Sequence, residues 1–370
     1  MAYVPFLTLL LPLKIDAFTT KETIGWLAYI AFAGAIAASI GNIVFGLASD
    51  LTGTRKPWIL AGLVLSGGLL VSVRAVETPG EMLALIVVWQ LALNMMLGPL
   101  SAWAGDVVPD EQKGMLGGLL SCAPALGAAS GAIVTIPGLA GPDQRLVLVA
   151  GMVAAMVLPV VVFGKPRPMP QLWVPRPTER DDRPGHRRTT LAKMWTARLL
   201  AQIAEASLFA YLLIWLMDLD AGVTDSFTAR TFALVLILSV PLALFAGRWS
   251  DRHRRPAVPL LLGLTAGGIG LCVMGLAGTV TQAISGYLVF GLSTAVFLAL
   301  HSAQTLRVLP EPKRRGRDLG LFNLTNTVPS MIMPWLTLAL VPVLGFGALF
   351  FVLAALMLIA IVLIATIRWT

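Results

Sequence analysis

The stretch GLASDLTGTRK, residues 46–56, joins two long apolar runs, and its spacing returns in GRWSDRHRR, residues 247–255. Gly46-x-x-x-Asp50 becomes Gly247-x-x-x-Asp251, 201 residues further on. A second landmark keeps that offset, because Val108-Pro109-Asp110 returns as Leu309-Pro310-Glu311. Each piece follows the second or the fourth apolar run of its half. Two landmarks sharing one offset mark a chain built from two copies of one unit.

Composition says where such a chain lives. Of its 370 residues, 57% are hydrophobic and 12% charged, with a mean hydropathy of +0.83. Soluble chains carry about twice that charged fraction. A helix of about 20 apolar residues crosses a bilayer core. Apolar runs between breaks fall at about 1–15, 24–49, 57–75, 82–105, 114–137, 145–164, 193–217, 227–249, 257–277, 280–302, 317–341 and 344–367. The expectation is an all-α polytopic membrane protein with twelve transmembrane helices in two pseudo-symmetric six-helix bundles. The first run is too short to span, so the first helix is expected to be truncated. A soluble enzyme, a disordered chain and a disulfide scaffold are excluded. Cys122 and Cys272 lie in apolar segments without metal-ligand spacing, so no metal and no cofactor are expected.

A net charge of +8 would suggest nucleic acid in a soluble domain. Here position explains it, and no nucleic-acid partner is expected. Most of the 27 Lys and Arg residues fall in one set of alternate loops, which the positive-inside bias assigns to the cytoplasm together with both termini. The membrane would be a plasma membrane or a bacterial inner membrane. The segment KPRPMPQLWVPRPTERDDRPGHRR, residues 165–188, has the composition of an exposed connector. It divides an N-terminal bundle (1–164) from a C-terminal bundle (193–370), with the connector counted as 165–192. Its basic residues either set topology or meet anionic lipid headgroups.

The loop at 46–56 resembles the signature between the second and third helices of the major facilitator superfamily. Gly46, Asp50, Gly53 and Arg55 fit that pattern, while Leu51 and Thr54 stand where basic residues are usual. In the second copy Gly247, Asp251, Arg252 and Arg255 fit, and Arg254 replaces a glycine. The resemblance implies a gating latch, in which a carboxylate at a helix end pairs with nearby Arg groups or another helix's positive N-terminus. The plainer alternative is a fixed structural bridge. The stretch GPLSAWAGDVVPDEQKG, residues 98–114, is similar to the glycoside–cation symporter branch, with Ser101 where that branch commonly has Arg and with its acid at Asp106. Pro124 and Gly127 match part of an antiporter motif, implying a helix bend, or else ordinary membrane packing.

Mid-membrane ionisable groups are functional candidates by default. Glu205 lies near the middle of the seventh run, with Gln202 and Phe209 on its face and Arg198 one turn below Gln202. It is expected to carry a coupling proton or to meet a cationic substrate; the alternative is a structural acid paired with Arg198. Gln90, Asn94 and Ser101 share one helix face, as do Asn323 and Thr327 on another, with Asn326 beside them. These amides and hydroxyls, with the aromatic Tyr211, either line a solute cavity or glue helices together. His301 is expected to be structural or solvated.

These features suggest a secondary transporter, with no enzyme chemistry, that moves a small neutral or amphipathic organic solute by alternating access. Protons and membrane lipids are its further partners, and a monomer is expected. A sugar or glycoside–cation symporter is one alternative. Another is a non-transporting protein of the same fold that serves as an assembly or receptor partner.

Overall fold

In the computed structural model, residues 6, 11–18, 23–120, 122–134, 136, 138–164, 184–309 and 314–367 are described. They are helical throughout, with no strand among the described residues. Helices are labelled α1 (Leu11–Phe18), α2 (Thr23–Leu51), α3 (Lys56–Ser72) and α4 (Pro79–Val107). α5 comprises Lys113–Leu120 and Cys122–Val134, and α6 is Pro142–Phe163. The next four are α7 (Pro184–Leu219), α8 (Asp225–His253), α9 (Ala257–Gly275) and α10 (Val280–Val308). The run Arg315–Ala365 holds two helices, α11 (315–344) and α12 (346–365), which part at Gly345 (φ 76°, ψ 175°). That backbone region is open to glycine and strained for other residues.

Eleven of the expected segments, from 24–49 onward, therefore each meet a helix, and nine helices among the described residues are long and apolar enough to cross a membrane, the Arg315–Ala365 run counting once. Most of the first segment, and its expected truncation, lies outside the described residues. So does most of the connector expected at 165–192. Its final part does not stay a connector, because α7 begins at Pro184, ahead of the apolar run at 193. Proline is tolerated in the first turn of a helix, where its missing N–H is not needed. Hydropathy reads only the length that meets lipid, so it misses this polar extension.

By compactness the chain divides into two units. One takes Met1–Val107, Ala123–Pro175 and Glu311–Leu324; the other takes Val108–Cys122, Arg176–Pro310 and Thr325–Thr370. In the first, α2, α3 and α4 close around Ile30, Ile59, Met82, Ile86 and Trp89, with Phe6 edge-on to Trp89 at 5.1 Å. In the second, Leu212, Leu264, Phe290, Phe297 and Leu353 are buried, and Trp215 meets Phe350 edge-on at 4.4 Å. Large apolar side chains such as Phe163, Ile237, Leu262 and Leu338 stand exposed in both. A water-soluble surface rarely carries so many, whereas a lipid-facing one requires them.

Candidate functional site

Two clusters of polar groups stand out, and the first is built twice. At the end of α2, the Asp50 carboxylate accepts hydrogen bonds from the backbone N–H groups of Gly316 (3.0 Å) and Arg317 (2.9 Å). These N–H groups open α11, where a helix has unsatisfied donors and a positive dipole end. Gly46, one turn back, lies so close to Gly316 that a Cβ on either would collide with the other's backbone. Arg55, just before α3, pairs with Asp50 at 2.6 Å and donates through Nε to Asp106 at 3.1 Å. The other Asp106 oxygen takes Arg315 Nη1 at 2.5 Å. Two acids and two arginines thus neutralise one another out of water, as buried charges must.

The second copy repeats the cap with different charges. At the end of α8, Asp251 accepts from the N–H groups of Gly114 (3.0 Å) and Met115 (2.9 Å), which open α5. Gly247 lies against Gly114 as Gly46 lies against Gly316. The guanidinium on Asp251 comes from Arg307 of α10, at 2.7 Å. The Arg307–Asp251 side chains are 18% and 11% exposed, against 7% or less in the Arg55 and Arg315 pairs with Asp50 and Asp106. Lys113 donates to the Leu306 carbonyl at 3.2 Å.

Of the expected latch residues, Gly46, Asp50, Arg55, Gly247 and Asp251 meet in these two places. Gly53 supplies a turn with φ 64°, and Arg254 holds the matching turn at φ 52°. Arg252 and Arg255 do not join; both are exposed, and Arg307 fills the expected role. Arg307 and Arg315 were not singled out from the sequence. The repeat offset carried a signal, because Arg307 lies 201 residues beyond Asp106.

The second cluster surrounds α7. Arg198 donates through Nε to Thr325 Oγ1 (3.1 Å) and through Nη1 to the Leu298 carbonyl (3.2 Å) and Ser302 Oγ (2.8 Å). Its Nη2 reaches Asn326 Oδ1 at 3.3 Å, and Gln202 Nε2 donates to the same oxygen at 2.6 Å. Glu205 is half-buried on the same face and makes no hydrogen bond or ion pair among the described residues. Phe209 is exposed and rests on Phe232 at 5.6 Å, which in turn meets Tyr287 edge-on at 5.5 Å. Tyr211, Asn323 and Thr327 are half-buried. His301 is fully buried, with Nε2 placed on the Met194 carbonyl at 3.1 Å.

The remaining candidates lie elsewhere. Asn94 is buried between Asn42 of α2, which donates to it at 3.0 Å, and the Gln90 carbonyl, to which it donates at 2.9 Å. This is the geometry of interhelical glue. Gln90 Oε1 beside it is buried without a partner, and Ser101 is exposed. Pro124 and Gly127 both lie in the Cys122–Val134 stretch of α5. Among the described residues no group of three His, Cys, Asp or Glu could hold a metal ion.

Helices that span a membrane, repeated in two copies and tied by capped helix ends, define a multi-pass membrane protein of the transporter class. The chain belongs to the Major Facilitator Superfamily, whose sequence model matches residues 2–217 and again 194–370. Members of that family transport solutes and are not enzymes. Solved structures agree on the fold. The human organic anion transporter MFSD10 (TETRAN) is 15% identical at TM-score 0.76, over 98% of this chain and 95% of its own. A bacterial homologue of the iron transporter ferroportin, in its outward-facing state, is 17% identical at TM-score 0.74, over 98% and 95%. The E. coli fucose:proton symporter is 14% identical at TM-score 0.74, over 100% and 96%. No curated protein sequence matches the chain.

Proposed function

We propose that the protein is a proton-coupled secondary transporter that moves a small neutral or amphipathic organic solute by alternating access. The observation that carries this reading is Glu205. A carboxyl group in a membrane-spanning helix is costly and is normally paired, yet this one has no partner among the described residues. Arg198, the candidate structural partner, is occupied by four neutral groups. An acid that holds nothing in place is free to take up and release a proton.

The caps supply the mechanical half. Asp50 and Asp251 each hold the opening turn of a helix from the other sequence half. Opening the end of the molecule that carries the basic loops breaks both caps, and closing it remakes them. That end faces the cytoplasm in this reading, with both termini inside and the chain working as a monomer in a plasma membrane or a bacterial inner membrane. Purified protein in liposomes provides the test. A panel of neutral sugars and amphipathic compounds should include one class whose addition drives proton movement. Glu205→Gln should abolish that movement, and normal coupling in this variant would end the reading.

A further inference from the structure

Every acceptor around Arg198 is neutral. Among the described residues no carboxylate lies within the 4.0 Å of an ion pair. The buried arginines at the helix ends show the contrast, since Arg55 and Arg315 each meet an aspartate. A guanidinium inside a membrane-spanning helix is costly without a counter-charge. Its absence here marks a place that a ligand's charge can fill.

The local geometry has the form of a carboxylate site. Asn326 Oδ1 lies where Arg198 Nη2 and Gln202 Nε2 converge, at 3.3 Å and 2.6 Å. Two donors converging on one oxygen are how a carboxylate oxygen is held. The Asn326 amide is a weak occupant of that position, and a charged oxygen displaces it with gain. Asn326 is exposed, while Arg198 and Gln202 are half-buried. At membrane depth, exposed polar side chains face water or a partner and not lipid.

Glu205 lies seven residues beyond Arg198, two turns along the same face and about 10 Å by helical rise. The charges of the two residues sense each other. Tyr287 of α10 senses the charge of Glu205, and His301 of α10 that of Arg198. α8 contributes the ring of Phe232, and α11 contributes neutral Thr325 and Asn326. The Arg198–Glu205 pair is therefore neutral when Glu205 is ionised and carries one positive charge when it is protonated.

We propose that Arg198 and Gln202, where the Asn326 amide oxygen gives way, form the subsite for the carboxylate of an amphipathic monoanionic solute, which binds when Glu205 carries a proton. The inference rests on the coupling role of Glu205 and narrows the solute class of that reading. One anion and one proton enter together, so the loaded site returns to neutrality. The apolar body of the solute lies toward Phe209, Phe232 and Tyr287, one turn beyond Glu205.

Equilibrium binding to the purified full chain in detergent tests this without interference from free-acid leakage across a bilayer. The probes are p-aminohippurate, salicylate and hexanoate, each beside its neutral amide, in weakly buffered solution from mildly acidic to mildly alkaline pH. The expected result is saturable binding of a carboxylate and not of its amide. One proton should be taken up per anion, and affinity should fall about tenfold per pH unit once Glu205 ionises. Arg198→Gln should weaken that binding by about tenfold or more, and Glu205→Gln should bind at all pH values without proton uptake. If Arg198→Gln does not fold, Gln202→Ala should still weaken the carboxylate alone, while Asn326→Ala, which removes the oxygen the carboxylate displaces, should bind it at least as tightly as wild type. Equal binding of acid and amide, no binding of any carboxylate, binding indifferent to Arg198 and Gln202, or carboxylate binding weakened by Asn326→Ala overturns the subsite. Amide binding with proton uptake that is lost in Glu205→Gln would sink the subsite and leave the coupling reading intact. Carboxylate binding that needs Arg198 while proton uptake persists in Glu205→Gln would sink the coupling reading.

Discussion

Asp106 and Arg307 occupy one position in the two copies of the repeat, at the ends of α4 and α10, and carry opposite charges. Asp106 reaches its cap through an intermediary, because Arg55 bridges it to Asp50. Arg307 needs none and contacts Asp251 directly. The first copy is a buried chain of four charges; the second is a shorter and wetter pair.

Unequal sensitivity to charge removal follows. Asp106→Asn leaves Arg55 and Arg315 buried with half their compensation, and breaking a buried pair costs about 3–5 kcal/mol. Arg307→Gln leaves Asp251 on its two N–H donors beside water, for about 1 kcal/mol or less. Chemical unfolding in mixed micelles should rank the two variants in that order, and the reverse order would refute the comparison.

The caps should govern access to the helix ends. Ser250 is fully buried beside Asp251, so Ser250→Cys in a background without Cys122 and Cys272 reports opening by its reaction with a maleimide. Asp251→Asn should raise the labelling rate about tenfold if the lost charge is worth about 1.4 kcal/mol. An unchanged rate would show a fixed bridge in place of a latch.

Backbone strain at Arg254 can be relieved. Its φ of 52° is one that glycine adopts freely, as Gly53 does at 64° in the other copy. Arg254→Gly should cost nothing and stabilise by up to about 1 kcal/mol, while Gly53→Ala should destabilise by about 1 kcal/mol. Melting of the two variants in one detergent decides the matter.

Transport should depend on pH through Glu205 with a defined sign. If the protonated acid is the loading form, wild-type solute binding is fullest at low pH and declines as rising pH ionises the carboxyl group. Glu205→Gln mimics the protonated form, so its binding profile should be flat and its uphill transport lost. A declining profile retained in Glu205→Gln would assign the proton elsewhere.

Much of the architecture was legible because a lipid environment imposes long apolar runs and a repeat imposes an offset. The two aspartates and their glycines were legible for the same reason, each being fixed by a turn of helix. Their partners were not. Arg315 reaches Asp106 from 209 residues away, and no periodicity connects them. Arg252 and Arg255 followed the motif but are exposed, and Pro256 stands where the first copy has Arg55. Around α7, spacing placed Arg198, Gln202 and Glu205 on one face. That Arg198 would turn to Thr325, Ser302 and Asn326 depended on two other helices, beyond the reach of a one-dimensional pattern.

One helix ties the two clusters together. Gly316, held by the carboxylate of Asp50, and Asn326, shared by Arg198 and Gln202, lie ten residues apart on α11, about 15 Å of rise. Both precede the first proline of that helix, Pro329. α11 thus gives backbone donors to Asp50 in its first turn and a side-chain acceptor to Arg198 and Gln202 about three turns further along the chain.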